Sequence, residues 1–139
     1  MWSQRNVIDY SLQRRRSLEL LRAPQRTFRT DHPLDADPML IRSALHHGIP
    51  AEIPCPVCDS EELAILHYVF GDQLGQYSGR IKSLEELEEM QSEVGEFKVC
   101  VVEVCPECGW NHMTQSYLLG DGRRRRAPRK QPTVEDIYG

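Results

Sequence analysis

Aromatic side chains are scarce, at 7% of the 139 residues. A chain this short with so few large apolar rings builds only a small core, which points to a fold held by something besides burial. Long apolar runs are missing too: none approaches the roughly 18 residues that a membrane span requires. The start, Met1-Trp2-Ser3-Gln4-Arg5, leads into mixed polar sequence with no apolar stretch of signal-peptide length, so a cytoplasmic location is expected. The motifs of common enzymes are also lacking. Gly71, Gly75 and Gly79 have neither the lysine of a phosphate-binding loop nor the strand and helix context of a dinucleotide fold. No nucleophile elbow and no zinc-protease helix motif is found. Neither catalysis nor a small-molecule substrate is expected.

Cysteine is sparse as well, at five residues, but its placement is informative. Cys55-Pro56-Val57-Cys58 and Cys105-Pro106-Glu107-Cys108 repeat one C-P-x-C pattern, with 46 residues between Cys58 and Cys105. Two sulfurs of such a tight turn point at one ion, and two turns make a tetrahedral four-sulfur shell. Cys55, Cys58, Cys105 and Cys108 are the expected ligands of one structural ion. Zn²⁺ is expected, although the spacing does not separate zinc from iron. Gly109 suits the left-handed backbone that ends such a turn, and Asp59 stands in the same place after the first. Two disulfides would need an oxidising compartment. His46 and His47 fit the end of a helix, while His67, Cys100 and His112 fit strands; all five are expected outside the ligand set.

Charge is segregated along the chain. Residues 1–30 carry seven arginines against Asp9 and Glu19, a net of +5; residues 31–122 carry −13; residues 123–139 carry +4. Basic ends around an acidic body speak of partners rather than of fold.

Local signals place the elements. Apolar residues of Asn6–Arg22 fall near one helical face until Pro24, with Arg14, Arg15 and Arg16 mid-helix. Gln25–Asp37 reads as a linker. Asp37-Pro38 is an N-cap followed by proline at the first helical position, and predicts a helix over 38–47. Leu63–Phe70 reads as a strand, and Ser83-Leu84-Glu85-Glu86 is a capping box that opens an acidic helix over 84–94. Phe97–Val104 and Trp110–Leu119 read as two more strands. The expected fold is small α+β: a four-cysteine ribbon with a three-stranded antiparallel sheet, two N-terminal helices and one acidic helix inserted between strands. The expected division is a helical arm over 1–50, the ribbon over 51–120 and a basic tail over 121–139.

The run Val104–His112, with Gln115–Gly120, Asn6–Tyr10 and Phe70–Gly75, resembles an actinobacterial family catalogued as a domain of unknown function. The resemblance covers most of the chain up to about Gly120 and implies a small cytoplasmic zinc-ribbon protein. The knuckles also resemble rubredoxin and the ribbon modules of the transcription and translation machinery.

A non-enzymatic factor docking on a nucleic-acid machine is expected, with RNA polymerase before the ribosome, because a strongly acidic body suits basic protein surfaces. A rubredoxin-like iron carrier is the third reading. The expected partner-binding residues are Arg14, Arg15 and Arg16, with Arg123, Arg124, Arg125, Arg126, Arg129 and Lys130, whose guanidinium and ammonium groups pair with phosphates or carboxylates.

Overall fold

Alternating side chains along Phe97–Val104 make this strand the centre of the sheet. Phe97, Val99 and Val101 turn to one face, while Cys100, Val102 and Val104 turn to the other. A computed structural model describes residues 4–22 and 34–122 of the chain. Along the sequence it contains β1 (Arg5–Asp9), α1 (Ser11–Arg22), α2 (Pro38–His47), β2 (Ile49–Pro50), β3 (Ala64–Phe70), a 3₁₀ segment (Asp72–Tyr77), β4 (Arg80–Ile81), α3 (Leu84–Glu93), β5 (Phe97–Val104) and β6 (Asn111–Leu119). β5 lies between β3 and β6, antiparallel to both. The three ribbon strands and the helix inserted between the first two are thus as expected.

The sheet is larger than three strands. Its order is β1-β6-β5-β3-β2, with β4 also pairing β3. β1 corrects the helix expected over Asn6–Arg22, because its residues Arg5, Ile8 and Asp9 pair with Leu118, Ser116 and Gln115. The helix begins only at Ser11. There the Asp9 carboxylate accepts the Ser11 amide at 2.7 Å, and the Tyr10 carbonyl accepts Arg14 N–H at 2.9 Å. The apolar positions before Ser11 satisfy a strand as well as a helix. The free backbone edge of β6, more than 100 residues away, decides between them.

α2 and α3 follow their local signals. The Asp37 carboxylate accepts Leu40 N–H at 2.8 Å, and Ser83 and Glu86 form the reciprocal capping box. α3 lays Leu87 and Met90 on the Val99 and Val101 face. α2 lays Ala44 on the opposite face, against Ala64, Leu66 and Val104. A third cluster joins α1 to the knuckles: Leu18 packs with Leu63, Trp110, Cys55 and Cys105. Burying a leucine of this kind contributes about 1.5–3 kcal/mol. Of the expected linker, Gln25–Pro33 lies outside the described residues, as does the basic tail from Arg123 onward. Leu34–Asp37 lies against the second knuckle, where Ala36 N–H donates to the Gly109 carbonyl at 3.1 Å. Among the described residues no helix is long and apolar enough to cross a membrane.

Candidate metal centre

Each knuckle is the same hydrogen-bonded turn. In the first, Asp59 N–H donates to the Cys55 carbonyl at 3.0 Å, and Cys55 N–H donates to the Ser60 carbonyl at 2.9 Å. In the second, Gly109 N–H donates to the Cys105 carbonyl at 2.9 Å, and Cys105 N–H donates to the Trp110 carbonyl at 2.8 Å. The residue that closes each turn is left-handed, with φ +59° at Asp59 and +84° at Gly109. Glycine meets this requirement without strain, and aspartate tolerates it.

The turns bring four sulfurs together. All four Sγ atoms lie within 4.8 Å of one another, with Cys55 and Cys108 3.7 Å apart and Cys58 and Cys105 3.6 Å apart. A disulfide needs about 2.05 Å, so these are four thiols. A tetrahedral metal–thiolate shell with bonds of about 2.3 Å separates its sulfurs by about 3.8 Å. The residues present therefore fit one metal ion.

Backbone amides aim at the sulfurs. Val57 N–H lies 3.4 Å from Cys55 Sγ. The Ser60 amide lowers the pKa of the exposed Cys58 thiol. Burial instead raises those of Cys105 and Cys108, against the amides of Cys108, Glu107 and Trp110. Buried thiols that resist ionising alone, ringed by amides that favour the thiolate, suit a cation that supplies the missing charge. Cys55 and Cys105 are fully buried, Cys108 is half-buried and Cys58 is exposed, so the cage opens to solvent on one side only.

The other candidates fall elsewhere. His112 stands outside the sulfur cluster, stacked on Trp110 with ring centroids 5.7 Å apart. His67 and Cys100 are buried in the sheet, and His46 and His47 are exposed at the end of α2. Arg15 and Arg16 are exposed on α1. Arg14 is not: it forms an ion pair with Glu103, which is 3% exposed and also accepts the Trp110 indole N–H. Arg14 is thus held within the fold. Arg123–Arg126, Arg129 and Lys130 lie outside the described residues. The triad of Arg14, Glu103 and Trp110 had one sequence signal, an acid near the end of a largely apolar strand.

Residues 1–133 match a family described as a family of unknown function (DUF5318). The chain belongs to this family. The match runs past Gly120, where the motif resemblance stops, and into the basic tail. Among its relatives, the uncharacterized protein Mb0050 of Mycobacterium bovis and the uncharacterized protein Rv0049 of Mycobacterium tuberculosis are each 44% identical to it over 122 residues, covering 88% of both chains. No solved structure matches the chain.

Proposed function

We propose that this chain is a non-enzymatic binding factor, built on a structural Zn²⁺ ion, that docks on RNA polymerase. The reading is carried by the exposed carboxylate face of α3, mounted on a sheet pinned at its other end by the four cysteines. Glu85, Glu86, Glu88, Glu89 and Glu93 are all exposed. Among the described residues the one ion pair on this face joins Lys82 to Glu86 at 3.4 Å. A rigid row of carboxylates is suited to a basic protein channel of the kind that holds nucleic acid. Four thiolate ligands leave no coordination position for water or substrate, which supports a structural ion and a non-catalytic role. Arg15 and Arg16, with Arg123–Arg126, Arg129 and Lys130, supply cationic contacts to phosphate or acidic surface around the body.

Affinity capture of the tagged full-length chain from cell lysate tests this reading. RNA polymerase subunits are the expected catch. Replacing Glu85, Glu88 and Glu89 by glutamine is expected to abolish their recovery. Removing residues from Arg123 onward is expected to weaken recovery without changing the melting temperature. Co-sedimentation with ribosomal subunits instead, lost at high salt, would transfer the function to the ribosome. A red protein absorbing in the visible would mean iron, and with it an electron carrier.

A further inference from the structure

The two knuckles are alike in sequence and in backbone, yet the fold covers them unequally. Over the second lies the stretch that leads into α2. Ala36 N–H donates to the Gly109 carbonyl at 3.1 Å, and a Cβ added to Gly109 would stand 2.7 Å from the Leu34 carbonyl oxygen. Leu34 and Leu21 join Cys108 in packing against the cluster of Leu18 and Trp110. Under this cover Cys105 is fully buried and Cys108 half-buried. At the first knuckle Arg22 reaches the Pro56 carbonyl at 3.5 Å, but Val57, Cys58 and Asp59 all remain exposed. Cys55 alone of that turn's two cysteines faces inward, fully buried.

Cys58 is therefore the ligand that solvent reaches first. Its Sγ lies 3.6 Å from Cys105 Sγ on the covered knuckle, the shorter of two contacts that cross between the turns; Cys55 and Cys108 make the other at 3.7 Å. Joining Cys58 to Cys105 needs a further approach of about 1.5 Å. The uncovered turn is the one with room to make it. The fifth cysteine offers no competing route, since Cys100 is 6% exposed in the middle of β5, paired with Tyr68 and Ser116 on the neighbouring strands.

We propose that Cys58 is a modification site for hydroperoxides, and that Cys105 captures the oxidised sulfur in a disulfide across the knuckles. The Cys58 thiolate attacks one oxygen of hydrogen peroxide, the O–O bond breaks, and Cys58 becomes a sulfenic acid as hydroxide leaves. The Cys105 thiolate then attacks that sulfur; a sulfur–sulfur bond forms and a second hydroxide leaves. Two electrons pass from the two sulfurs to the peroxide, and two solvent protons convert the hydroxides to water. Zn²⁺ has no redox chemistry of its own, so sulfur is the electron source. Cys55 and Cys108 alone do not close a tetrahedral shell, and the ion is released.

The consequence is local, because the disulfide keeps the two turns tied. Leu18, Leu63 and Trp110 pack on Cys55 and Cys105, so α1 and the stretch over the second knuckle loosen. Leu87 and Met90 of α3 stay seated on Val99 and Val101. Oxidation at Cys58 presupposes the structural ion of the proposed function and is independent of docking on polymerase.

The test treats the reduced, metal-loaded full chain with hydrogen peroxide, follows freed metal with a colorimetric chelator, and maps disulfides by mass spectrometry after alkylation. Release of the metal is expected, with Cys58–Cys105 as the first disulfide, and a thiol reductant with added Zn²⁺ is expected to restore the loaded chain. Hydrogen exchange is expected to rise in α1 and at Leu34–Asp37 but not in α3. Cys58→His keeps a metal ligand, since three thiolates and an imidazole also form a structural shell; it is expected to hold metal and to lose the fast release. Cys100→Ser is expected to behave as the parent. The disulfide map of the parent decides the matter even where Cys58→His does not fold. A first disulfide within one knuckle, first oxidation at Cys108 or Cys100, or a loaded chain that keeps its metal under peroxide would each overturn the proposal and leave the structural ion standing. A chain isolated without metal would overturn the ion itself, and the proposal with it.

Discussion

The indole N–H of Trp110 donates to the Glu103 carboxylate at 2.9 Å, with both side chains buried. Arg14 reaches the same carboxylate oxygen from α1 at 2.5 Å. One acid thus ties the residue after the second knuckle and its glycine to the central strand and to the N-terminal helix. Glu103→Leu strands an indole donor and a guanidinium, and is expected to lower unfolding free energy by about 3–5 kcal/mol. Glu103→Gln keeps an acceptor for the indole and is expected to cost less. Urea melts give the order; equal losses in the two variants would refute the role of the carboxylate.

Metal removal is expected to release the lower end of the sheet. Leu18, Leu63 and Trp110 pack directly on Cys55 and Cys105, so the ion and the cluster stand together. Elemental analysis is expected to find one ion per chain. Chelation or Cys105→Ser is expected to abolish the cooperative thermal transition. Cys58→Ser, at the exposed corner, is expected to lose metal with less damage to packing. Retained melting behaviour in Cys105→Ser would contradict a structural ion.

His67 is 9% exposed, and its Nδ1 has no hydrogen-bond partner among the described residues. Burial holds its pKa below the usual imidazole value of 6.5. The unfolded chain therefore binds a proton that the folded chain refuses, and stability falls with acid. The contribution is complete above about pH 6.5 and is lost as pH falls from there toward the depressed folded value. His67→Leu removes both the unpaired nitrogen and the titration, and is expected to gain about 1 kcal/mol, with a larger gain at pH 5.5 than at pH 8. The metal centre titrates in both proteins, so the difference between their melting curves isolates His67. A difference that does not vary with pH would rule the linkage out.

Gly120 has φ +120°, and a Cβ there would fall 2.3 Å from the Gly95 carbonyl oxygen. The same turn carries the bonds from Gly122 N–H to the Gly95 carbonyl and from Arg5 Nη1 to the Gly120 carbonyl. Gly120→Ala is expected to cost at least about 1–3 kcal/mol and to raise hydrogen exchange at β1 and at the end of β6. Unchanged exchange at β1 would mean that the turn does not hold the edge strand.

Much of the site was legible because its signals are local. The C-P-x-C spacing is a property of four residues, and the left-handed positions at Asp59 and Gly109 follow from the turn it makes. The Asp37 cap and the Ser83–Glu86 box likewise specify helix starts within one turn of chain. β1 was not legible, since Val7, Ile8 and Tyr10 fit either period and the choice lay with a strand distant in sequence. The Asp9 side chain next to Ser11 was the available clue.

The sequence by itself determined the four thiols, the order of the ribbon strands, the helix caps and the amount of charge in each third of the chain. These depend on spacing, alternation and composition, which do not need the fold to be known. Only the tertiary structure decided that Arg14 is spent on Glu103, that residues 5–9 complete the sheet edge, and that the α3 carboxylates stand on one face with Phe70 and Lys98 on the other. Those outcomes depend on which distant segments meet, and that is set by pairing and burial across the whole molecule rather than by neighbours along the chain.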